Sequence, residues 1–462
     1  MAALTSIPTA PGALPLLGHL LPLIRGPLGF LESLPEHGDL VRVLLGPAPA
    51  VVVCDPTLTR QVMRDDRAFD KGGVVFDRAR EVVGGSLLTS PHDRHRRQRR
   101  LVQPSFHPTR FPGYARMMTD HAAAVVSEWR DEQILDVFAE MTTITSTTLT
   151  AAMFSTTLPA PALHQAHQDV IDIIGGVDRR MLTPRPLDRL PTPGNRRYHR
   201  ALARLRHSFG DVVAGCRASG VDRGDLLWAL LTAPALDGDG DGLDDAEIVD
   251  LVLMFFLAGT ETTAIVLAWT LHLLAGDPDV ERRVHAEVDT VLGDRPGTYD
   301  DVPRLKLTGR VVAETLRLRP PTWALTRVVA ADTHLGGHPL PAGTTVVFSP
   351  YLIHHRADLH PDPDRFDPDR WLPERARAIP RDAYIPFGGG ARVCIGDQFG
   401  ITETVLALAT IAARWRLEPL PGTGVRIPLA SLLRPRGLRM RAIRRAPERP
   451  VVRGEATEEK PA

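Results

Sequence analysis

Ten residues near the C-terminus, Phe387-Gly-Gly-Gly-Ala-Arg-Val-Cys-Ile-Gly396, bring three consecutive glycines and a lone cysteine into one loop. Glycine allows a backbone to approach a flat ligand closely. Cys394 stands just before a helical segment, residues 397–413, and the dipole and free N–H groups of a helix N-terminus favour the thiolate form of a cysteine. The loop therefore predicts a thiolate that serves either as a metal ligand or as a nucleophile.

Several roles are open to this thiolate. A nucleophile needs a histidine base and an oxyanion site, and no local cysteine-hydrolase signature surrounds Cys394. A zinc ligand needs companion ligands, and none stand nearby. The remaining chemical role is the single axial ligand of a metal whose other ligands are not protein, namely haem iron. A buried structural cysteine is the alternative, and we expect that role for Cys54 and Cys216.

The fixed positions of the loop, Phe387-x-x-Gly390-x-Arg392-x-Cys394-x-Gly396, resemble the haem-thiolate signature of cytochrome P450, F-x-x-G-x-R-x-C-x-G, at every position. The resemblance implies haem b, which is iron protoporphyrin IX, with the Cys394 thiolate as axial ligand. It also implies that Phe387, Arg392 and Gly396 contact the cofactor. The implied fold is mainly α, with one large helical domain and small β-sheets.

The pattern Glu314-x-x-Arg317 places two opposite charges on one helix face. Taken alone it indicates no more than a surface ion pair worth under ~1 kcal/mol. In the P450 family this pair meets an arginine from the loop that precedes the cysteine, and residues 366–371 resemble that loop. The resemblance implies that Arg370 is the third member and that all three residues are structural.

A second matching segment, Ala258-Gly-Thr-Glu-Thr-Thr263, interrupts an apolar helix. Glycine and clustered hydroxyls disfavour a helix locally, and such a break is expected at a functional site. A core helix bent by its threonines is the alternative. The segment resembles the family motif A-G-x-[DE]-T-[TS], which implies Thr262 as the proton-relay hydroxyl, Glu261 as the acid and Ala258 beside the haem.

Residues 91–100 are strongly basic. They could form a solvated face or a nucleic-acid patch, but 55 basic and 55 acidic residues give zero formal charge, which argues against nucleic acid. On a helix His95 and Arg99 are neighbours, and they resemble the family pair that binds a haem propionate; Arg327 and Arg392 would complete a cationic cradle. The remaining arginines are predicted to dock an acidic electron donor; they are Arg94, Arg96, Arg97 and Arg100.

The chain organisation favours one domain over residues 1–445 and a disordered, charged tail over residues 446–462. The apolar stretch 251–275 contains Glu261, so we expect a buried core helix and no membrane anchor. Three scattered cysteines and a poor signal sequence favour the cytoplasm. The predicted strands are residues 39–45, 50–54, 322–326, 328–335 and 344–348. The predicted helices are residues 56–67, most of 91–320, and 396–415.

The resemblance implies a monomeric monooxygenase that uses dioxygen and two electrons. No G-x-G-x-x-G or Walker pattern appears, so the electrons must come from a separate ferredoxin-type donor with its reductase. Residues 94–106 and 190–197 resemble those of actinobacterial sesquiterpene oxygenases, which favours a small lipophilic terpenoid. A polyketide, steroid or fatty acid substrate stays open, as does a haem-binding sensor without turnover. The predicted pocket walls are mostly apolar and comprise residues 74–76, 170–174, 255–258, 323–326 and 431–432.

Overall fold

The computed structural model describes residues 4–154, 160–181, 183, 185–232, 242–422 and 424–445. The predicted disordered tail, residues 446–462, lies outside the described residues. Helices dominate the described part of the chain, as expected. In chain order the α-helices are α1 (Leu20–Arg25), α2 (Pro27–Glu32), α3 (Pro56–Arg64), α4 (Val74–Val83), α5 (His92–Val102), α6 (Phe111–Ser127), α7 (Val137–Phe154), α8 (Ala160–Met181), α9 (Pro193–Ser219), α10 (Leu226–Leu231), α11 (Asp245–Ala275), α12 (Pro278–Leu292), α13 (Lys306–Leu318), α14 (Pro350–His354), α15 (Pro373–Ala376) and α16 (Asp397–Arg414).

Short strands form three small sheets around these helices. The strands are β1 (Leu40–Leu45), β2 (Ala48–Val53), β3 (Phe69–Asp70), β4 (Ile134–Asp136), β5 (Leu325–Val329), β6 (Thr333–Leu335), β7 (His338–Leu340), β8 (Thr345–Phe348), β9 (Trp415–Pro419) and β10 (Arg439–Arg444). The five-stranded sheet has the order β1-β2-β8-β5-β3, the second has the order β4-β10-β9, and β6 pairs with β7 alone. The mainly α fold with small sheets is thereby confirmed.

The predicted strand pair near the N-terminus is confirmed as an antiparallel hairpin of β1 and β2. On its other side β2 pairs in parallel with β8, with Ala50 opposite Thr345. This pairing joins strands that lie about 295 residues apart in the sequence. The alternation of residues within a strand does not predict it, because that pattern does not specify which other strand will pair with it.

The second β region differs from the prediction in two ways. Residues 328–335 do not form one strand, because the chain turns after Val329 and begins a separate hairpin at Thr333. Gly336 and Gly337 both have positive φ, of 56° and 80°, as a two-residue hairpin turn requires. The predicted strand at residues 322–326 begins only at Leu325, so Arg327 lies inside β5 rather than after it.

Helix α11 crosses the centre of the fold, and its residues belong to both large hydrophobic clusters. A capping box starts it: the Asp244 carboxylate accepts from the Glu247 N–H at 2.7 Å, and the Glu247 carboxylate accepts from the Asp244 N–H at 3.4 Å. Within the described ranges α11 alone is long and apolar enough to cross a membrane, and 78% of its most apolar window is buried in the fold. The expected core helix is confirmed.

Glu314 and Arg317 of α13 are fully buried and form a two-pronged ion pair, with both N···O distances at 2.9 Å. Arg370 joins them at 3.3 Å from Glu314, and the Trp371 indole N–H donates to the same carboxylate at 2.9 Å. The simple interpretation of this pattern as a surface pair is therefore wrong. Since a charge buried this deeply must be paired, the group fixes α13 against the loop that leads to Cys394.

Candidate active site

The glycine loop brings the Cys394 backbone back onto its own start, because the Cys394 N–H donates to the Phe387 carbonyl oxygen at 3.0 Å. Gly390 has φ of 66°, and a Cβ there would collide with the Met63 carbonyl oxygen. Only glycine allows this approach of the loop to α3. Gly390 is therefore required for packing against α3, and the predicted approach of the glycines to a flat ligand stays a prediction.

The Cys394 side chain is exposed, whereas Cys54 is buried and Cys216 is half-buried. Surrounding protein atoms limit hydration of the Cys394 thiol and raise its pKa, while the Gly396 backbone N–H at the start of α16 lowers it. The exposed thiol therefore faces a space within the fold and lies against a helix N-terminus that favours its thiolate form.

Arg392 fixes the cysteine loop to the N-terminal part of the chain. Its Nε lies 3.0 Å from Asp66, one Nη lies 2.6 Å from Asp70, and the other donates to the Ser90 carbonyl oxygen at 2.8 Å. Burial raises the pKa of Asp66, but His92 and Arg392 outweigh it and leave that pKa below its usual value. Arg392 therefore has protein partners on all three nitrogens, which is the arrangement of a loop anchor.

Helix α5 presents His95 and Arg99 toward the same loop. Arg99 donates to the Val393 carbonyl oxygen, next to Cys394. His95 is buried, and its Nδ1 has no hydrogen-bond partner among the described residues. Burial, followed by Arg392 and Arg99, lowers the pKa of His95 to about 3, so the ring is neutral near pH 7. An unpartnered buried nitrogen of this kind fits an additional ligand.

Arg327 and Lys71 extend the cationic cluster. Arg327 is buried in β5, and burial followed by Arg392 lowers its pKa to about 10. Lys71 follows β3, and its Nζ lies 4.2 Å above the Phe76 ring. Burial, then Arg327 and Arg392, hold the pKa of Lys71 far below its usual value. Sequence reasoning missed Lys71, although it is one of only three lysines in an arginine-rich chain.

The balance of positive and negative charge around this cluster indicates whether haem could bind there. Four cations surround this site, and they are Lys71, Arg99, Arg327 and Arg392. Against them stand Asp66, Asp70 and Cys394 as a thiolate, so four positive and three negative charges leave an excess of one positive charge. An anionic group bound here would raise the depressed pKa values of the cations. Because haem carries two propionates, the donor set and its surplus charge fit haem next to the Cys394 loop.

A groove in α11 faces the interior beside this loop. Ala258, Gly259 and Thr262 are half-buried, although nearly all their neighbours along the helix are buried. The Thr262 hydroxyl donates to the Ala258 carbonyl oxygen at 2.6 Å, four residues earlier. The Phe255 ring packs 5.7 Å from Phe106, which in turn contacts Gly396 of the loop. The groove and the cysteine loop therefore border the same region.

Glu261 lies on the buried side of α11 and is 3% exposed. Its Oε1 pairs with Arg434 at 3.3 Å, and its Oε2 has no partner in the part of the chain that the structure describes. Burial raises the pKa of Glu261 to about 7, with Arg434 lowering it and Asp178 raising it. A carboxyl with a pKa near neutrality can both hold and release a proton under physiological conditions.

The residues predicted to line the pocket differ in their exposure. Val170 and Ile173 pack into the hydrophobic core rather than toward an open space, and Phe255 is almost fully buried. Val74 is exposed, and Trp323 is half-buried.

Leu88 differs from its surroundings in a way that sequence reasoning missed. It is 36% exposed although its neighbours Ser86, Leu87, Thr89 and Ser90 are all buried. The sequence gives no periodic signal for this exposure.

A second buried acid, Glu403 of α16, was also missed. It is 1% exposed, and neither carboxyl oxygen has a partner within the described ranges. The neighbouring Thr148 hydroxyl donates to the Ile144 carbonyl oxygen at 2.9 Å. Burial raises the pKa of Glu403 well above its usual value, and the nearby Thr148 hydroxyl only partly offsets this rise.

Comparison with known families agrees with this geometry. The family model for cytochrome P450 matches residues 8–440. The chain belongs to the cytochrome P450 family. This P450 is accordingly a haem-thiolate monooxygenase, and the family cofactor is haem with an axial cysteine thiolate.

Similar proteins include two Streptomyces enzymes. The P450 is 47% identical to cyclooctat-9-en-7-ol 5-monooxygenase of Streptomyces melanosporofaciens over 90% of each chain. It is 44% identical to pentalenene oxygenase of Streptomyces avermitilis, with 95% of this chain and 98% of the relative covered. Among solved structures it resembles the cytochrome P450DA heme domain, with a TM-score of 0.86, 29% identity, and coverage of 96% and 98% of the two chains.

Proposed function

We propose that this P450 oxidises a small terpenoid, with Cys394 as the axial ligand of the haem iron. The observation that carries the proposal is the Cys394 loop, which ends in an exposed thiol beside a buried cluster with surplus positive charge. When bound, haem supplies the redox centre that activates dioxygen with two electrons. The protein chain itself binds the haem, orients the substrate and delivers protons.

His95, Arg99, Arg327 and Lys71 are the proposed partners of the haem propionates. The unpartnered Nδ1 of His95 and the lowered pKa values of Lys71 and Arg327 support this assignment. Arg392, whose nitrogens all have protein acceptors, supports the cysteine loop and acts on the propionates through its charge. Phe387, Gly396 and Ala258 are proposed to border the macrocycle.

Thr262 and Glu261 are the proposed proton relay. The Thr262 hydroxyl both donates and accepts hydrogen bonds, and it lies at the groove of α11. Glu261, with a pKa of about 7, can supply a proton toward that hydroxyl.

The terpenoid substrate class rests on the relatives and on the apolar walls. The similar Streptomyces enzymes are named for cyclooctat-9-en-7-ol and pentalenene, which are both cyclic terpenoids. The exposed side chains of Val74 and Leu88 offer only hydrocarbon contacts. A hydrocarbon substrate gains affinity mainly by burying its surface against such walls.

The proposed electron donor is an acidic, ferredoxin-type protein that docks on the face of α5 nearest Cys394, and the proposed compartment is the cytoplasm. Of the four arginines predicted for docking, Arg94 and Arg97 approach Glu247 at 2.8 Å and 3.7 Å. Arg94, Arg96 and Arg100 are exposed on the helix surface. Because exposed guanidinium groups can reach an acidic partner, we assign docking to these three residues.

The first experiment compares the purified protein with Cys394→Ser, using Cys216→Ser as the matched control. We expect a red-shifted Soret band in the reduced carbon monoxide complex of the parent and of Cys216→Ser, and its loss in Cys394→Ser. A spin-state titration then tests cyclic diterpenes and sesquiterpenes against steroids, polyketides and fatty acids. A band that survives in Cys394→Ser would overturn the ligand assignment, and spin shifts produced by a non-terpenoid class alone would overturn the substrate class.

A further inference from the structure

The segment 430–434 is held in place from three directions. The Trp323 indole N–H donates to the Ala430 carbonyl oxygen at 2.9 Å, and the Trp269 indole N–H donates to the Leu433 carbonyl oxygen at 2.8 Å. Asp178 of α8 accepts from the Ser431 N–H at 2.8 Å. The segment is therefore fixed to α8, to α11 and to the chain before β5.

Arg434 leaves this segment and reaches the acid of α11. Its Nη1 lies 3.3 Å from Glu261 Oε1, and its guanidinium lies 5.4 Å from the centre of the Phe138 ring of α7. The two side chains are 14% and 4% exposed, so little solvent screens the pair. Arg434 therefore acts strongly on the Glu261 carboxyl.

Asp178 supplies a second carboxylate nearby. Its Oδ1 holds Ser431, and its Oδ2 is buried with no partner among the residues described. Asp178 opposes ionisation of Glu261, whereas Arg434 favours it. Among the described residues, these are the leading charged groups that act on Glu261. From α7 come the Phe138 ring and the Thr145 hydroxyl, which donates to the Thr260 carbonyl oxygen.

We propose that Arg434 is a positioning residue for Glu261: it orients the carboxyl and sets its protonation, and the anchored segment 430–434 holds it in place. The proposal rests on the proposed role of Glu261 in proton delivery. Arg434 holds Oε1 and leaves Oε2 to carry the proton. The sequence offers no signal for this pairing, since 173 residues separate the partners.

Infrared spectroscopy of the haem-loaded protein tests the proposal without turnover. The C=O stretch of protonated Glu261, identified by its absence in Glu261→Gln, should titrate with a midpoint near pH 7 in the parent. In Arg434→Gln the midpoint should rise by about one pH unit, because an opposite charge that lowered it is gone. Arg434→Met is the second variant if Arg434→Gln does not load haem. Arg434→Lys should keep the midpoint closer to that of the parent.

Arg217→Gln is the matched control, because Arg217 pairs with Asp245 of the same helix at 2.6 Å but lies on the surface. A rise in Arg434→Gln but not in Arg217→Gln supports the proposal. An unchanged midpoint in Arg434→Gln, or equal rises in both variants, overturns it. Peroxide release is measured separately as a function of pH. A shifted titration midpoint with unchanged peroxide release would leave Arg434 as the positioning residue and would refute the relay role of Glu261.

Discussion

Arg392 and Asp66 form a buried ion pair, with an Nε–Oδ2 distance of 3.0 Å, across 326 residues of sequence. Arg392 stands two residues before Cys394, and Asp66 follows α3. The pair fixes the cysteine loop to residues that lie near the start of the sequence. The same guanidinium also holds Asp70, so one arginine couples the loop to β3.

Breaking this pair should destabilise the protein. Replacing either partner alone, as in Arg392→Gln or Asp66→Asn, removes a charged hydrogen bond but leaves Asp66 with His92 or Arg392 with Asp70, so it should cost about 2 kcal/mol. Urea denaturation of the haem-loaded protein measures the cost, and the double variant should lose less than the sum of the two single variants. Arg282→Gln, which breaks the exposed Arg282–Asp279 pair on α12, is the control with an expected cost below ~1 kcal/mol. Additive effects at Arg392 and Asp66 would contradict direct coupling.

Replacing Thr262 should separate electron consumption from product formation. Thr262→Ala removes the hydroxyl at the groove but no buried packing group, so the fold and the haem should be retained. We expect product per electron to fall about a hundredfold, with electrons diverted to peroxide. Thr262→Ser restores the hydroxyl and should restore most of the coupling. Unchanged coupling in Thr262→Ala would exclude the relay assignment.

Lys71 should contribute to haem retention. Lys71→Met removes one of the cations near Arg327, and the loss of a charge-assisted contact of about 1.5 kcal/mol should speed haem loss about tenfold. The rate is measured by following the transfer of haem to an excess of a haem-free acceptor protein. Lys71→Arg should stay close to the parent, and the exposed Lys306→Met serves as control. Equal rates in Lys71→Met and the parent would remove Lys71 from the propionate site.

Glu403 should make stability fall as pH rises. Its pKa is raised in the folded state and close to 4.5 when unfolded, so its favourable contribution is complete below pH 4.5 and is lost as pH increases toward the folded value. Glu403→Gln has no such proton, and its Tm should therefore exceed that of the parent by a margin that grows from pH 5 to pH 8. A constant difference in Tm across that range would show that Glu403 does not change protonation on unfolding.

The sequence predicts the helical elements and the chemistry of short motifs well. The apolar run around Glu261 and the strand pair near the N-terminus are local patterns, and the structure forms the core helix α11 and the β1–β2 hairpin there. Propionate contacts by Arg99 and Arg327 stay predictions. The strand predicted at 328–335 was wrong because the chain bends at Ala330, Ala331 and Asp332, between β5 and β6, within a run of residues that reads as one strand.

Residues that act across long sequence separations were not predicted. Arg434 meets Glu261, and Asp66 meets Arg392, only after the tertiary fold brings loops together. Glu403 lies in an apolar helix, where its charge suggests exposure, yet packing by neighbouring helices buries it. Leu88 looks like any core leucine until its exposure is measured.

The parallel pairing of β2 with β8 governs how the protein must be synthesised and how it tolerates truncation. A nascent chain leaving the ribosome completes the β1–β2 hairpin early but holds β2 as an open edge until Thr345–Phe348 emerge. Closing so long a loop is entropically slow, and an unpaired edge invites pairing with other chains. Products that end before β8 are therefore expected to form aggregates rather than smaller folded units, because β8 must be synthesised before the edge of β2 is covered.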